Sequence, residues 1–160
     1  MTAELSCGSS RLASGETAQY NLLITTDNPI QSSIIEIVPS AEAYPNALIS
    51  IDTESIVCSK GNISSAYIAG SSMLEISVFN INDTELNLSF NASSNGFSDI
   101  CTTTAMVSAV QAGMVYDAYS QVSVTASGFI PSILSIIGIA AAIAAAAASI
   151  VFYRIFLHSR

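Results

Sequence analysis

Charged side chains are scarce in this 160-residue chain. Only 10% of its residues are Asp, Glu, Lys or Arg, against about 25% in an ordinary soluble domain. The length suits about one domain with a core of ordinary size. The apolar residues that stand in place of charged ones exceed what such a core needs. They therefore indicate an additional apolar segment outside it.

Histidine is also nearly absent, since the chain contains only His158, close to its C-terminus. Nucleophilic sites of the Ser-His-Asp or Cys-His type need a histidine as base, and copper and haem centres use it as a ligand. No Gly-rich phosphate loop is present, and no pair of acids stands out as the site of a carboxylate hydrolase. We therefore predict a protein that is not an enzyme, with no catalytic residue and no cofactor.

Basic residues are few. All twelve acidic residues lie between Glu4 and Asp117, beside only Arg11 and Lys60, so this part of the chain has a formal net charge of −10. Such a charge repels nucleic acid and anionic lipid headgroups. We predict no nucleic-acid partner and identify no small-molecule substrate, because a solvated acidic surface accounts for the charge.

One long apolar run is present, Phe129–Tyr153, and it holds no charged side chain. As a helix it would be about 37 Å long, enough to cross a hydrocarbon core of about 30 Å. Arg154 and Arg160 follow it at once, and the positive-inside rule then places the C-terminus in the cytoplasm. We predict an extracytoplasmic domain, a single transmembrane helix and a short basic cytoplasmic tail, at residues 1–127, 128–153 and 154–160.

The N-terminal segment, residues 1–17, contains no apolar stretch of the kind that secretory leaders carry. We expect that a leader precedes the sequence and has been removed. The alternative is a tail-anchored protein whose large domain is cytoplasmic.

Short segments rich in Val, Ile, Thr, Tyr and Leu recur before the apolar run, separated by turn-forming residues. No segment before Pro131 shows a sustained helical period, which argues against a βαβ design. The pattern predicts an all-β fold, an immunoglobulin-like β-sandwich of about eight strands, followed by the C-terminal transmembrane helix. The predicted strands are residues 17–26, 32–38, 47–53, 65–70, 72–79, 84–92, 102–110 and 115–126.

Residues 12–40, LASGETAQYNLLITTDNPIQSSIIEIVPS, contain a Gly turn, a Tyr-bearing strand, an Asn/Asp turn and a second apolar strand. This arrangement resembles the early strands of the CARDB and DUF11 type of immunoglobulin-like module, found on prokaryotic cell surfaces. The resemblance implies the architecture and transfers no functional residue.

Four Asn-x-Ser/Thr triplets begin at Asn62, Asn82, Asn87 and Asn91. In a strand over residues 86–91, Leu86, Leu88 and Phe90 share one face while Asn87, Ser89 and Asn91 share the other. The asparagines should therefore point to solvent, where a glycosylating enzyme could reach them. We predict glycosylation of these sites, with an unmodified polar face as the alternative.

Three cysteines are present, and an oxidising compartment would leave one bridge and one free thiol. We prefer a Cys58–Cys101 disulfide, because Cys7 lies near the chain end; the bridge would contribute about 4 kcal/mol. No metal site is predicted, since the cysteines lack close spacing. The turn around Asp83 offers too few oxygen ligands for calcium.

The predicted helix carries small residues at spacings of three or four along one face, which is typical of packed membrane helices. We predict that it contacts another membrane helix or a second copy of itself through Ser135, Gly138, Ala142, Ala146 and Ser149.

Two functions fit the sequence. The first is a non-enzymatic, membrane-anchored surface protein with a structural or assembly role in a cell envelope, filament base or virion membrane. The second is an accessory subunit of a larger membrane complex for transport, translocation or respiration.

Overall fold

The computed structural model of the chain describes residues 1–41, 49–69, 73–95 and 99–127. These residues form eight strands. The strands are β1 (Thr2–Cys7), β2 (Arg11–Ala13), β3 (Thr17–Ala41), β4 (Ile49–Cys58), β5 (Asn62–Ala69), β6 (Met73–Ser94), β7 (Asp99–Gln111) and β8 (Met114–Ser127). No helix able to cross a membrane occurs within these ranges. The predicted transmembrane helix and the basic tail lie outside them.

Two long strands, β3 and β6, run through both layers of the sandwich. Their pairing continues from the first half of β3, opposite residues 85–93 of β6, into the second half, opposite residues 74–79. One layer, which we call layer A, has the order β1-β3-β6-β4. The other, layer B, has the order β2-β8-β7-β3-β6-β5, in which only β2 runs parallel to its neighbour.

Two predicted turns are bends within these long strands. Around Pro29 the ladder between β3 and β6 is interrupted from Thr25 to Ile30, so the missing N–H of proline removes no ladder bond. In β6, Asn80 and Asn82 have positive φ angles of 57° and 46°, a conformation that Asn tolerates better than most residues. The prediction of separate strands at 17–26 and 32–38, and at 72–79 and 84–92, is therefore wrong at these junctions.

The core lies between the layers, because alternate residues of each strand point inward. Ile35 and Ile37 of β3 enter it from layer B, and the Tyr20 and Phe90 rings stack in layer A with centroids 5.2 Å apart. The alternation predicted for residues 86–91 is confirmed: Leu86, Leu88 and Phe90 are buried, Asn87 is exposed, and Ser89 and Asn91 are half-buried. The outer face of each layer is left for solvent or for a partner.

The strands β1 and β2 were not predicted from the sequence. β1 alternates Ala3, Leu5 and Cys7 with polar residues but buries only one large apolar side chain, Leu5, and the three-residue β2 buries only Leu12. Their positions depend on long-range partners. Leu5 N donates a hydrogen bond to Ser120 Oγ at 2.8 Å, which brings the edge of layer A beside the β8 edge of layer B.

Candidate interaction surface

The outer face of layer B exposes an unusual set of large apolar side chains. Tyr119 is 76% exposed, Val115 66%, Ile34 48%, Phe79 47% and Met106 40%. We call these five residues the apolar face. Strand register explains why they lie together, because residues directly opposite each other on neighbouring strands share a face.

The register arranges this surface in rows that run across the strands. One row, from β6 through β3 and β7 to β8, reads Phe79, Ser32, Val110, Val115. A second row over the same strands reads Glu75, Glu36, Met106, Tyr119. The surface therefore alternates apolar side chains with serines and carboxylates.

Two shallow grooves cross this surface. The larger, of ≈ 370 Å³, lies beside Glu36 and is walled by Met106 and Tyr119, with Ser108 and Asp117 at its polar side. The smaller, of ≈ 150 Å³, is lined by Ile34, Phe79 and Val115 together with small and polar neighbours. Both grooves are open enough to receive side chains of another molecule.

The charges on this surface have one sign. Glu36 of β3 lies directly opposite Glu75 of β6, at a Cβ separation of about 5 Å. Asp117 is nearby and accepts a hydrogen bond from Ser108 Oγ at 2.6 Å. Before Arg154 the chain has no other Lys or Arg than Arg11 and Lys60.

Neither of these two bases neutralises the surface. Lys60 Nζ lies 3.3 Å from a carboxyl oxygen of Asp83, a residue at the bend of β6. The backbone N–H of Glu85 and the Lys60 ammonium hold the pKa of Asp83 below its usual value, the backbone bond acting most strongly. Arg11 lies opposite Thr125, six residues along β8 from Tyr119, or about 20 Å.

The outer face of layer A is different in character. It is lined mainly by hydroxyl, amide and carboxylate side chains, and Val57, at 61% exposed, is its one large apolar residue with high exposure in the described part of that layer. Asn87 N donates to Ser59 Oγ at 3.0 Å, and Asn91 N donates to Ser55 Oγ at 2.8 Å. This face is suited to hydration rather than to packing.

The predicted glycosylation sites are distributed unevenly. Asn87 and Asn91 lie on the outer face of layer A, and Asn82 is exposed at the bend of β6. Asn62 is exposed on the edge strand β5, opposite Phe79. Asn62 is therefore the one predicted site that borders the apolar face, and glycosylation itself stays a prediction.

The structure contains no disulfide between Cys58 and Cys101, and its three cysteines are free thiols; the bridge stays a prediction. Cys58 ends the edge strand β4 in layer A, where its Sγ donates to the carbonyl oxygen of Lys60 at 3.0 Å. Cys101 is buried in β7 of layer B, between Ala41 of β3 and Val124 of β8. Burial raises the pKa of the Cys101 thiol to about 11, helped by the carboxylate of Asp99, and burial also raises the pKa of Cys58.

Within the described ranges, no group of three His, Cys, Asp or Glu residues is placed to hold a metal ion. The predicted helix-packing residues lie outside those ranges. Sequence reasoning missed the apolar face, although β8 offered a signal for it. Val122 and Val124 share one parity of that strand while Val115 and Tyr119 share the other, so both of its faces carry apolar side chains.

No family model and no curated protein matches this sequence. Solved structures match its fold. A non-cellulosomal cohesin from the archaeon Archaeoglobus fulgidus is 8% identical, with a TM-score of 0.54 over 80% of this chain and 93% of the cohesin. Domains D2 and D3 of the major pilin SpaD from Corynebacterium diphtheriae are 10% identical, with a TM-score of 0.55 over 76% of this chain and 51% of that structure.

The CARDB domain of the PF1109 protein from Pyrococcus furiosus also matches, at 10% identity and a TM-score of 0.46 over 78% of this chain and 85% of that domain. The predicted likeness to immunoglobulin-like modules is confirmed at the level of the fold. The described part of the chain is an all-β, immunoglobulin-like sandwich.

Proposed function

We propose that the chain is a non-enzymatic, membrane-anchored surface protein with a structural or assembly role, and that it binds a neighbouring protein through the apolar face. The observation that carries this proposal is the contrast between the two outer faces of the sandwich. One face is polar and holds Asn87 and Asn91, while the other exposes large apolar side chains, five of which form the apolar face. Several large apolar side chains exposed on one face of a domain are characteristic of interaction sites.

The magnitude of the apolar face sets the kind of complex it can support. Fully burying a large apolar side chain contributes about 1.5–3 kcal/mol, and these five are already about half covered. Burying the remainder would contribute roughly 5 kcal/mol in total, near the low end of the 4–15 kcal/mol that association costs. Burial of the apolar face is therefore not sufficient for a stable complex, which also needs polar contacts or confinement of both proteins in one membrane.

The predicted transmembrane helix at residues 128–153 would provide this confinement in one membrane. A neighbour anchored in the same membrane would be held at a high effective concentration, so a weak contact through the apolar face would suffice.

Glycosylation would increase the difference between the two outer faces of the sandwich. Glycans at Asn87 and Asn91 would cover the outer face of layer A, and a glycan at Asn62 would cover only the Phe79 end of the apolar face. Met106, Val115 and Tyr119 would stay uncovered. The fold is also one that cohesin and pilin domains use, which is consistent with a surface or assembly protein and does not specify it.

The alternative, an accessory subunit of a larger membrane complex, is favoured by the single sign of the charges around the apolar face. A surface with carboxylates and no base suits a different protein better than a second copy. Stoichiometric co-purification with polytopic membrane proteins would support this alternative, whereas recovery with envelope or filament components would support the first.

A matched pair of valines tests the proposal. Val115 on the apolar face and Val57 on the opposite face have almost equal exposure, 66% and 61%. In full-length protein extracted from its native membrane with mild detergent, Val115→Ser combined with Tyr119→Ser should reduce the size of the complex on native electrophoresis, and Val57→Ser should not. An unchanged complex for the first variant, or an equal loss for both, would reject the proposed face.

A further inference from the structure

The apolar face surrounds an unneutralised pair of carboxylates. Glu36 and Glu75 are direct cross-strand neighbours, and like charges in this arrangement oppose each other. Both are half-buried, and within the described residues neither carboxylate takes part in an ion pair or side-chain hydrogen bond. Asp117 adds a third carboxylate on the same surface.

A second copy of this chain is poorly suited to neutralise that pair. Face-to-face pairing of two copies would bring together two sets of three carboxylates with no base between them, an arrangement that costs several kcal/mol. A head-to-tail contact through Arg11 is also unfavourable, because Ile100 is the one large exposed apolar side chain in the same cross-strand row as Arg11 in the described structure. Lys60 is already paired with Asp83.

The groove beside Glu36 has the shape and chemistry for a basic side chain. Its volume is ≈ 370 Å³, and the residues that line it include Met106, Tyr119 and Glu36. Lys and Arg bury their aliphatic stems along apolar walls while the charged group stays at a polar end. The ring of Tyr119 could also stack with a cation.

We infer that the occupant of the apolar face is a different protein, which inserts a Lys or Arg, flanked by apolar side chains, against Glu36 and Glu75. This inference rests on the proposed function and adds the chemistry of the partner to it. The apolar flanks cover Ile34, Phe79 and Val115, and the cation relieves the repulsion between the two carboxylates. A membrane surface is not the occupant, because anionic headgroups would be repelled by the same carboxylates.

Short synthetic peptides test the inference on the full chain held in a neutral detergent. One peptide alternates leucine with lysine, and its counterpart has glutamine in place of each lysine. Binding is measured by calorimetry to the wild type, to a Glu36→Gln/Glu75→Gln variant and to a Glu4→Gln/Glu85→Gln variant. The last is a matched control, because it removes the same charge from exposed positions on the outer face of layer A.

The lysine peptide should bind the wild type and the control equally, and bind the Glu36→Gln/Glu75→Gln variant about tenfold more weakly, which corresponds to about 1.4 kcal/mol. Added salt should weaken binding to the wild type more than binding to that variant. Equal weakening by both double variants would mean that only the overall acidity matters, and would overturn the inference. The inference would also be overturned if the lysine peptide did not bind the wild type.

A further variant separates this inference from the proposed function. If the glutamine peptide binds as tightly as the lysine peptide, and Val115→Ser with Tyr119→Ser abolishes both, the apolar face stands as a binding surface and the basic partner is wrong. If that variant leaves the binding of both peptides intact, the apolar face itself is wrong.

Discussion

Among the glycines that the structure describes, Gly61 is the one at which an added methyl group should have the largest effect. It forms the turn between β4 and β5 with a φ of +74°. A Cβ placed there would lie 2.6 Å from the carbonyl oxygen of Phe79 and 2.9 Å from Cγ1 of Ile81. The first atom is backbone of β6 at the edge of the apolar face, so it cannot move without disturbing the strand.

Gly15 provides the control for this substitution. Its φ is +78°, nearly equal to that of Gly61, but no atom lies within 4 Å of the position that a Cβ would take there. Gly15→Ala should therefore cost only the left-handed backbone penalty, about 1 kcal/mol. Gly61→Ala should cost the same penalty plus about 1–3 kcal/mol of overpacking.

Urea unfolding of the two variants, followed by tyrosine fluorescence in detergent, measures the difference. We expect Gly61→Ala to be less stable than Gly15→Ala by at least about 1 kcal/mol. Equal losses of free energy of unfolding would mean that the Lys60-Gly61 turn does not pack on β6 as described. The placement of Asn62 beside Phe79 would then be wrong as well.

Three further substitutions give expected changes in stability. Glu75→Gln should raise the free energy of unfolding by about 0.5 kcal/mol at low salt, because it removes the repulsion with Glu36, and the gain should shrink as salt is added; no gain at low salt would contradict the cross-strand pair. Ala112→Asn should stabilise the β7–β8 hairpin by about 0.5–1 kcal/mol, since Ala112 and Gly113 both have positive φ angles and Asn-Gly is preferred in such turns; a loss in thermal melting would contradict this. The raised pKa of Cys101 predicts that the free energy of unfolding is unaffected by this thiol below about pH 9 and falls as the pH rises from 9 towards about 11, because the thiol ionises first in the unfolded chain. Cys101→Ala should remove this part of the pH dependence. The same dependence of unfolding free energy on pH in that variant would be evidence against it.

The sandwich itself could be predicted from the sequence because its strands alternate strongly. Residues 86–91 place Leu86, Leu88 and Phe90 on one side, and the structure buries all three. The bends in β3 and β6 were predicted to be turns between separate strands. Pro29 and the αL asparagines of β6 are equally compatible with a hairpin turn and with a bend in a strand that passes from one layer to the other. Pairing partners decide between the two, and these are far away in the chain.

Predicting the apolar face and the state of the cysteines would have required the same long-range information, namely which strands pair with each other. Ile34 and Phe79 are far apart in sequence, and only the shared ladder of β3 and β6 brings them onto one surface. The disulfide prediction used the positions of Cys58 and Cys101 in the chain. Those positions do not show that Cys58 lies in layer A and Cys101 in layer B, which depends on strand pairing.

The most direct test of the account uses a photo-reactive amino acid placed at Tyr119, and at Val57 as control, in the full-length protein in its native cells. On illumination, the probe at position 119 should form a discrete cross-linked product with a different protein, and the probe at position 57 should form none. Cross-linking at position 57 with none at position 119, or a product at 119 that consists of two copies of this chain, would contradict the account.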